Sequence, residues 1–304
     1  MPIVEGAVDA LAVASQVARD EIVGNTKMVS RERAGLDDGW LLSLPRSYAE
    51  LYADKDEAWQ NEEREVLALI DAVAPSAGAR VLDIGAGTTW STSALARRGC
   101  QAIAIDVSFQ KYVGLWSSDV YMSHHHTYYE RVAADMSGRL PFRGGTFDAV
   151  FIFSALHHAP DPAATLKEIR RVLKPSGTLA FVEATRGWLE SDGHFGRREK
   201  DAFGINEHKY PLRAYRRWLR QAGFSMGVLV APSFRAKMDG FRAGTIRAPG
   251  PLYFKHRLGR HVARTLWRLP GIDRLLTRAY PLICHVFGAQ ILAIAKPFLR
   301  VTAT

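Results

Sequence analysis

The sequence predicts an α/β fold built on a doubly wound, mostly parallel sheet. Short β-branched runs alternate with helical periods from residue 80 to residue 232, as in a chain of βα units. The strand candidates are almost continuously apolar, which indicates a sheet covered by helices on both faces. A glycine turn follows the first of these strands and leads directly into a helix candidate.

The predicted elements follow one another along this region. Residues 1–75 are expected to be helical, with an amphipathic stretch from Tyr48 to Val73, until Pro75 and Gly78 break the pattern. The strand candidates are Arg80–Ile84, Ala102–Asp106, Asp148–Phe153, Gly177–Glu183 and Phe224–Val230. The helix candidates are Ser91–Arg98, Pro162–Leu173 and Leu212–Ala222.

Two further stretches have distinct predictions. Lys174–Gly177 is typical of a tight turn between a helix and the next strand. Ala279–Ala295 is the longest apolar stretch, but it contains Pro281, His285 and Gly288. It therefore predicts a helix end followed by a buried strand, and not a membrane span.

The composition is that of an ordinary soluble globular protein. Of 304 residues, 47% are hydrophobic and 23% are charged. Cys100 and Cys284 lie far apart, which argues against a disulfide scaffold or a zinc module and favours a reducing cytoplasm. No secretory signal is expected, because Glu5 and Asp9 interrupt the first apolar positions.

The formal charge of +9 is concentrated in residues 233–285. This segment holds eleven Lys/Arg and two acids, so the remainder of the chain is formally neutral. Residues 254–268 predict a basic amphipathic helix. We expect its apolar face to pack on the domain, while contact of the segment with an anionic membrane or a phosphate-bearing substrate stays an alternative.

The glycine turn is the most informative motif. Val81–Gly87 combines an apolar strand with Gly85 and Gly87, which let the chain turn sharply and let a ligand approach the backbone. A nicotinamide-cofactor fingerprint would place a third glycine at Trp90, so that class of cofactor is disfavoured.

Three acids stand at or just beyond the ends of successive strand candidates. Asp83 and Asp106 lie at strand ends, and Asp135 follows a further short apolar run. In open α/β sheets, ligands bind at the carboxyl ends of the strands. Acids placed there suit a cationic nucleoside whose ribose hydroxyls and amino group need hydrogen-bond acceptors.

With these motifs the chain resembles the class I S-adenosylmethionine-dependent methyltransferases, specifically the small-molecule, type 11-like group. The segments that carry the resemblance are Val81–Gly87, Asp106, Leu140–Phe142, Phe147–Asp148, Leu156–His158, Asp161–Pro162 and Glu168–Gly177. The resemblance covers roughly residues 48–232.

The resemblance implies a Rossmann-like, seven-stranded, mostly parallel sheet with an antiparallel last strand, Gly288–Ala295. It also implies N-terminal helices and a helical insertion before that strand. We therefore expect an N-terminal helical segment over residues 1–75 and the cofactor-binding domain over 76–232. The basic insertion would span 233–285, and 286–304 would be the closing strand and tail of the same domain.

The implied cofactor is S-adenosyl-L-methionine, and the resemblance assigns its contacts. Asp83, Gly85 and Gly87 would hold the methionine portion, Asp106 the ribose hydroxyls, and Asp135 with Met136 the adenine. The remaining expected contacts are Ala86, Val107 and Phe153. Thr89 departs from the pattern, because many members have a third glycine there.

The candidate catalytic residues are His157, His158 and Glu183. Methyl transfer is an in-line displacement, and an oxygen nucleophile benefits from a base such as histidine. Glu183 ends the next strand, from which it could orient a histidine. The same Leu-His-His segment occurs in relatives that methylate carbon and need no base. We expect no metal, because the consecutive residues 124–126, all histidines, cannot readily face one ion and more naturally belong to a partly exposed loop.

These features favour one function and leave others open. The leading hypothesis is O-methylation of a small molecule, such as a sugar or a biosynthetic intermediate. The alternatives are methylation of a lipid or quinone at a membrane surface and a non-enzymatic binding module. A nucleic-acid target is disfavoured, because a basic segment alone is a weak signal.

Overall fold

The computed structural model describes residues 36–46, 56–188, 208–243 and 271–298, and a few positions elsewhere (18–20, 22–23, 245, 265 and 269). The strands are β1 (Arg80–Ile84), β2 (Gln101–Asp106), β3 (Glu130–Ala133), β4 (Phe147–Phe153), β5 (Leu173–Ala184), β6 (Phe224–Leu229) and β7 (Gln290–Pro297). The helices are α1 (Asp38–Leu42), α2 (Asp56–Val73), α3 (Trp90–Ala96), α4 (Ser118–His125), α5 (Pro162–Val172), α6 (Leu212–Gln221), α7 (Pro232–Ala243) and α8 (Ile272–Phe287).

The strands form one seven-stranded sheet in the order β3-β2-β1-β4-β5-β7-β6. The first five strands of that order pair in parallel, and β7 runs antiparallel to both β5 and β6. The predicted doubly wound, mostly parallel sheet with an antiparallel last strand is therefore confirmed. The chain order reverses between β1 and β4, which is where ligands bind in sheets of this kind.

The central strands are buried because helices cover both faces of the sheet. Every residue of β1 after Arg80 is buried, and the apolar residues of β4 and β5 join one continuous core with those of α5 and α6. Local signals place α5: the Asp161 side chain accepts hydrogen bonds from the amides of Ala163 and Ala164, and Pro162 occupies the first turn.

The predicted tight turn at Lys174–Gly177 is wrong. In the structure these residues belong to β5, which begins at Leu173 directly after α5. Phe147 pairs with Leu173 while Ala149 pairs with Thr178, so the extra residues form an irregularity in the ladder. The turn-forming residues of this segment therefore form a bulge at the start of β5.

The described parts of the insertion pack on the core. α7 contributes Phe234 and Met238, and α8 contributes Tyr280 and Ile283, to the main hydrophobic cluster. Apart from position 265, the helix predicted over residues 254–268 lies outside the described residues. The helix end and buried strand predicted within 279–295 are confirmed as α8 and β7. Along the parts of the chain that the structure describes, no helix is long and apolar enough to cross a bilayer.

The described parts of the N-terminal segment are helical, as predicted. Asp37 caps α1, and a small second core joins Trp40 and Leu41 to α4, where the Tyr121 hydroxyl donates to the Leu41 carbonyl at 2.5 Å. α2 packs against β5, β7 and α7. This helix therefore crosses the sheet next to the strand ends that carry the candidate catalytic residues. The domain boundaries stay a prediction.

Candidate cofactor and acceptor site

The turn after β1 depends on two glycines for different reasons. Gly85 has φ of +67°, and a Cβ built there would lie 2.4 Å from the Cβ of Ala155. Gly87 has φ of +48°, and a Cβ there would meet nothing within 4 Å. Gly85 thus lets β1 lie against the loop after β4, while Gly87 leaves the backbone open to a ligand.

Thr89 takes the conformation that a glycine would take. Its φ is +67°, a left-handed conformation that is unusual for a side chain branched at Cβ. Its Oγ1 forms a 2.9 Å hydrogen bond with the hydroxyl of the buried Tyr129. The departure from the family pattern at this position therefore changes the side chain but keeps the backbone shape of the turn.

Asp83 is buried and only half satisfied. The residue is only 1% exposed. Its Oδ2 accepts hydrogen bonds from Ser91 Oγ at 2.7 Å and from Thr92 Oγ1 at 2.6 Å. Its Oδ1 has no hydrogen-bond partner among the described residues. Burial raises the pKa of this carboxyl to about 6, against the effect of the two hydroxyl donors.

Asp106 joins the glycine turn to β2. Its Oδ2 accepts from the amide of Gly87 and its Oδ1 accepts from the amide of Ser108, both at 2.8 Å. The adjacent Val107 is half-buried, whereas Ala86 is buried in a small cluster with Ala104, so that Ala86 can offer a ligand little beyond its backbone. Asp83 and Asp106 lie on paired strands at the same edge of the sheet.

Asp135 and Met136 follow β3 on the far side of the turn. Asp135 Oδ1 accepts from the amide and the hydroxyl of Ser137, at 2.8 and 2.7 Å. Met136 Cε lies 3.6 Å from the point where a Cβ of Gly85 would stand. The structure therefore brings Met136 against the glycine turn. The assigned cofactor contacts, including half-buried Phe153 at the end of β4, stay predictions.

His157 and Glu183 form a buried pair. His157 is 5% exposed and Glu183 is fully buried, and His157 Nδ1 lies 2.7 Å from Glu183 Oε2. The other carboxylate oxygen, Oε1, accepts from the amide of Leu156 at 2.7 Å, and the Tyr215 hydroxyl contacts Oε2 at 3.4 Å. Glu183 thus orients the imidazole and the turn that carries it.

His158 is more accessible than His157. It is half-buried, and the two imidazole rings lie with their centroids 4.2 Å apart. Both rings belong to the short helical turn after β4, at the carboxyl edge of the sheet. The structure therefore places the three candidate catalytic residues together.

Glu62 is a residue of this site that sequence reasoning missed. It lies on α2, and its Oε1 accepts a hydrogen bond from Ser154 Oγ at 2.9 Å. Its Oε2 accepts from Gln290 Nε2 at the start of β7. Burial raises the pKa of Glu62, the hydrogen bonds from Gln290 and Ser154 oppose that rise, and the Glu183 carboxylate adds to it. Glu183 is therefore close enough to influence Glu62 across the site.

Ser154 shows that this end of β4 is held in an uncommon conformation. Its φ is +50°, although it is not a glycine, and its amide donates to the Val182 carbonyl of β5. Neither fact was visible in the sequence. The only signal available was the position of Ser154 two residues before the Leu-His-His motif.

The three histidines at positions 124–126 do not form a loop. His124 and His125 end α4, and His126 with φ of +51° caps it. The part of the chain that the structure describes holds no group of three or more His, Cys, Asp or Glu that could bind a metal ion.

The sequence and the fold were compared with known proteins. Residues 82–181 match the model of a family described as a methyltransferase domain. A demethylmenaquinone methyltransferase of Mycolicibacterium vanbaalenii is 34% identical over 152 residues, which are 50% of this chain and 60% of the relative. A ubiquinone biosynthesis O-methyltransferase of Xanthomonas oryzae is 37% identical over 115 residues, 36% of this chain and 45% of the relative. The chain thus spans at most about three fifths of these curated relatives.

Solved structures are similar in fold. The cyclase SpnF superposes with a TM-score of 0.52 at 22% identity, over 79% of this chain and 82% of the cyclase. A structure of the Haloferax volcanii Trm112 methyltransferase activator with a methyltransferase gives a TM-score of 0.51 at 17% identity, over 86% of this chain and 96% of the matched chain. At these identities the likeness concerns the fold alone.

Proposed function

We propose that the protein is a class I S-adenosylmethionine-dependent methyltransferase that methylates a hydroxyl oxygen of a small molecule, with His157 as the base. The match of residues 82–181 to the model of a methyltransferase domain supports the general reaction. The observation that carries this proposal is the 2.7 Å contact between His157 Nδ1 and the buried Glu183 carboxylate, at the edge of the sheet where ligands bind. A histidine held in this way is typical of a general base.

The residues around the glycine turn fit the cofactor. S-adenosylmethionine supplies a methyl group on a positively charged sulfur. A nucleophile can attack the methyl carbon in line, and the sulfur then leaves as a neutral thioether. Asp83 Oδ1, buried and without a hydrogen-bond partner among the described residues, suits a cationic group of the ligand. The open backbone at Gly87 gives such a ligand room to approach, and Asp106 offers carboxylate oxygens for ribose hydroxyls.

Glu183 determines which nitrogen of His157 can act as the base. Because the Glu183 carboxylate only accepts hydrogen bonds, His157 Nδ1 carries a proton and donates it to Oε2. Nε2 of the neutral imidazole is then the acceptor for the proton of the substrate hydroxyl. The amide of Leu156, which donates to Oε1, holds the carboxylate in place.

A labelled-cofactor screen tests the proposal. The full chain is incubated with methyl-labelled S-adenosylmethionine and a panel of hydroxylated metabolites, and the labelled product is identified. His157→Gln should lower kcat by about 100-fold or more while the cofactor Kd, measured by calorimetry, stays within a factor of two. His124→Gln, at an exposed position on α4, is the matched control and should leave both unchanged.

Two results would reject the proposal in different ways. No binding of S-adenosylmethionine would favour a non-enzymatic binding module. Turnover by His157→Gln at the wild-type rate would be consistent with methyl transfer but would reject His157 as the general base.

A second candidate function is methylation of a quinone or another lipid-soluble acceptor. It is supported by the names of the relatives, which refer to demethylmenaquinone and to ubiquinone biosynthesis. Competition between a quinol with a long isoprenoid tail and its tailless analogue separates the two candidates. A preference of tenfold or more for the tailed compound in kcat/KM would favour the lipid-soluble acceptor.

A further inference from the structure

The outward face of α8 combines exposed leucines with exposed arginines. Leu275 and Leu282, which lie seven residues and therefore about two turns apart, are 61% and 62% exposed. Arg274 and Arg278 are exposed on the same side of the helix. The opposite side packs on the core through Tyr280 and its neighbours. Two leucine side chains are thus exposed to solvent, although the opposite face of the same helix is buried.

Trp188 extends this face beyond the end of α8. It is 78% exposed, and its amide donates to the carbonyl of His285 in the last turns of the helix at 3.0 Å. We call Trp188, Arg274, Leu275, Arg278 and Leu282 the α8 docking face. Exposed apolar side chains beside arginines, with a tryptophan at one end, are typical of segments that lie in the interface of a bilayer.

The α8 docking face is connected to the acceptor side of the candidate site. Thr185, two residues after Glu183, donates through its amide and its Oγ1 to the carbonyl of Ala289, at 2.9 and 2.7 Å. Gly187 lies so close to the end of α8 that a Cβ there would stand 2.2 Å from the carbonyl carbon of Phe287. The six residues from Glu183 to Trp188 therefore lead from the buried His157–Glu183 pair to the surface.

We propose that the α8 docking face binds the surface of an anionic lipid bilayer and brings an acceptor from the bilayer to the His157–Glu183 edge. The second half of this statement rests on the proposed function; the first half does not. The charge of the chain supports an anionic surface, because residues 233–285 hold eleven Lys/Arg against two acids. The leucines and the tryptophan would enter the headgroup region, and the arginines would contact lipid phosphates.

Vesicle binding tests the inference. The full chain is sedimented with vesicles of phosphatidylcholine containing about one third phosphatidylglycerol, and with phosphatidylcholine vesicles alone. We expect binding to the anionic vesicles only, and weaker binding at high salt. The double variant Arg274→Gln/Arg278→Gln should bind about 25-fold more weakly, about fivefold for each arginine near the surface. Leu275→Gln/Leu282→Gln should bind at least tenfold more weakly.

Arg213→Gln/Arg217→Gln is the matched control. These arginines are exposed on α6 at the same spacing of four residues, so the variant removes the same charge from another face. It should keep more than half of the vesicle affinity. If the α6 and α8 arginine variants lose the same amount of vesicle affinity, the effect depends only on net charge, and the proposal of a docking face on α8 is wrong. Absence of wild-type binding at low salt would also overturn it.

Thermal unfolding separates membrane docking from a contact within the protein or with a protein partner. The α8 leucine variant should unfold at the wild-type temperature. A lower unfolding temperature together with unchanged vesicle binding would mean that another part of the chain covers the leucines. Calorimetry with S-adenosylmethionine is read separately: vesicle binding without cofactor binding rejects the proposed function and leaves the docking face, and the reverse result rejects only the docking face.

Discussion

Asp83→Asn should stabilise the protein and weaken its proposed cofactor binding at the same time. Asp83 is 1% exposed, and Oδ2 accepts both of its hydrogen bonds, from Ser91 and Thr92. An asparagine can place its carbonyl oxygen where Oδ2 stands and its amide where Oδ1 stands. The change therefore keeps both hydrogen bonds and removes a buried negative charge.

The expected size of this stabilisation follows from the pKa of the Asp83 carboxyl. Burial raises it from 3.8 to about 6, and a tenfold change in proton affinity corresponds to about 1.4 kcal/mol. Ionised Asp83 thus destabilises the fold by about 3 kcal/mol. Because the folded state holds this proton more tightly than the unfolded chain, wild-type stability falls as the pH rises from about 4 to about 6 and is then constant with respect to this group.

Urea unfolding of the wild type and Asp83→Asn at pH 4.5, 6 and 7.5 measures the effect. Taking the difference between the two proteins removes the titration of the other groups. The variant should be more stable by about 2–3 kcal/mol at pH 7.5, and the difference should shrink toward pH 4.5. A variant that is less stable at pH 7.5, or a difference independent of pH, would refute the reasoning. Calorimetry should show the cofactor Kd raised at least tenfold.

Three further predictions concern the turn and α2. Gly85→Ala should lower the free energy of unfolding by at least about 2 kcal/mol and abolish cofactor binding, because the new Cβ would stand 2.4 Å from Ala155 Cβ at a φ of +67°. Glu62→Gln should lower kcat about tenfold with little change in the acceptor KM and shift the pH profile of kcat, because it removes a titratable carboxyl group beside the His157–Glu183 pair. Glu65→Gln should stabilise the protein above pH 7 but not at pH 4.5, because burial raises the pKa of Glu65 to about 7 and wild-type stability is lost as the pH rises through that range.

The controls for these variants come from the same chain. Gly145→Ala has nearly the same backbone strain, with φ of +68°, but its Cβ would meet nothing within 4 Å. If it destabilises the protein as much as Gly85→Ala, the contact with Ala155 is irrelevant. Glu63→Gln, next to Glu62 but paired with Arg46 at the surface, should leave kcat and its pH profile as they are. A pH profile that is the same in Glu62→Gln and the wild type would contradict an electrostatic role for Glu62.

The fold was predictable because its signals are local. The apolar runs of β1, β2 and β4 were recognised to within one residue, since each is a continuous buried strand that can be read from its own sequence. The cap of α5 is equally local, with Asp161 and Pro162 adjacent to the amides they affect. The residue types of Lys174–Gly177 are compatible with both a tight turn and a strand bulge, so the sequence alone could not distinguish the two.

The role of each acid at the sheet edge was less predictable than its position. Asp83 and Asp106 lie in the last residues of β1 and β2, and Asp135 follows β3, so their places were foreseeable. Their partners were not: Asp106 binds the amide of Gly87 from the neighbouring turn, and Asp83 has one oxygen bound to α3 and one without a partner among the described residues. Which oxygen remains available depends on three-dimensional packing and decides what each acid can offer a ligand.

Glu62 shows why the acceptor side could not be assembled from motifs. Ser154 lies 92 residues and Gln290 lies 228 residues from it along the chain, and only the packing of α2 across β5 and β7 brings the three together. A glutamate on the polar side of an amphipathic helix is ordinarily a solvated residue. Here it places a second carboxyl group beside the His157–Glu183 pair, and burial raises the pKa of this group, so it becomes negatively charged only at a higher pH than an exposed glutamate would. We expect a neutral hydroxyl acceptor to be accommodated beside these two carboxyl groups more readily than an acceptor with a carboxylate or phosphate next to the reacting oxygen. Glu62→Gln should relax that discrimination, and an unchanged preference for neutral over anionic acceptors would remove Glu62 from the argument.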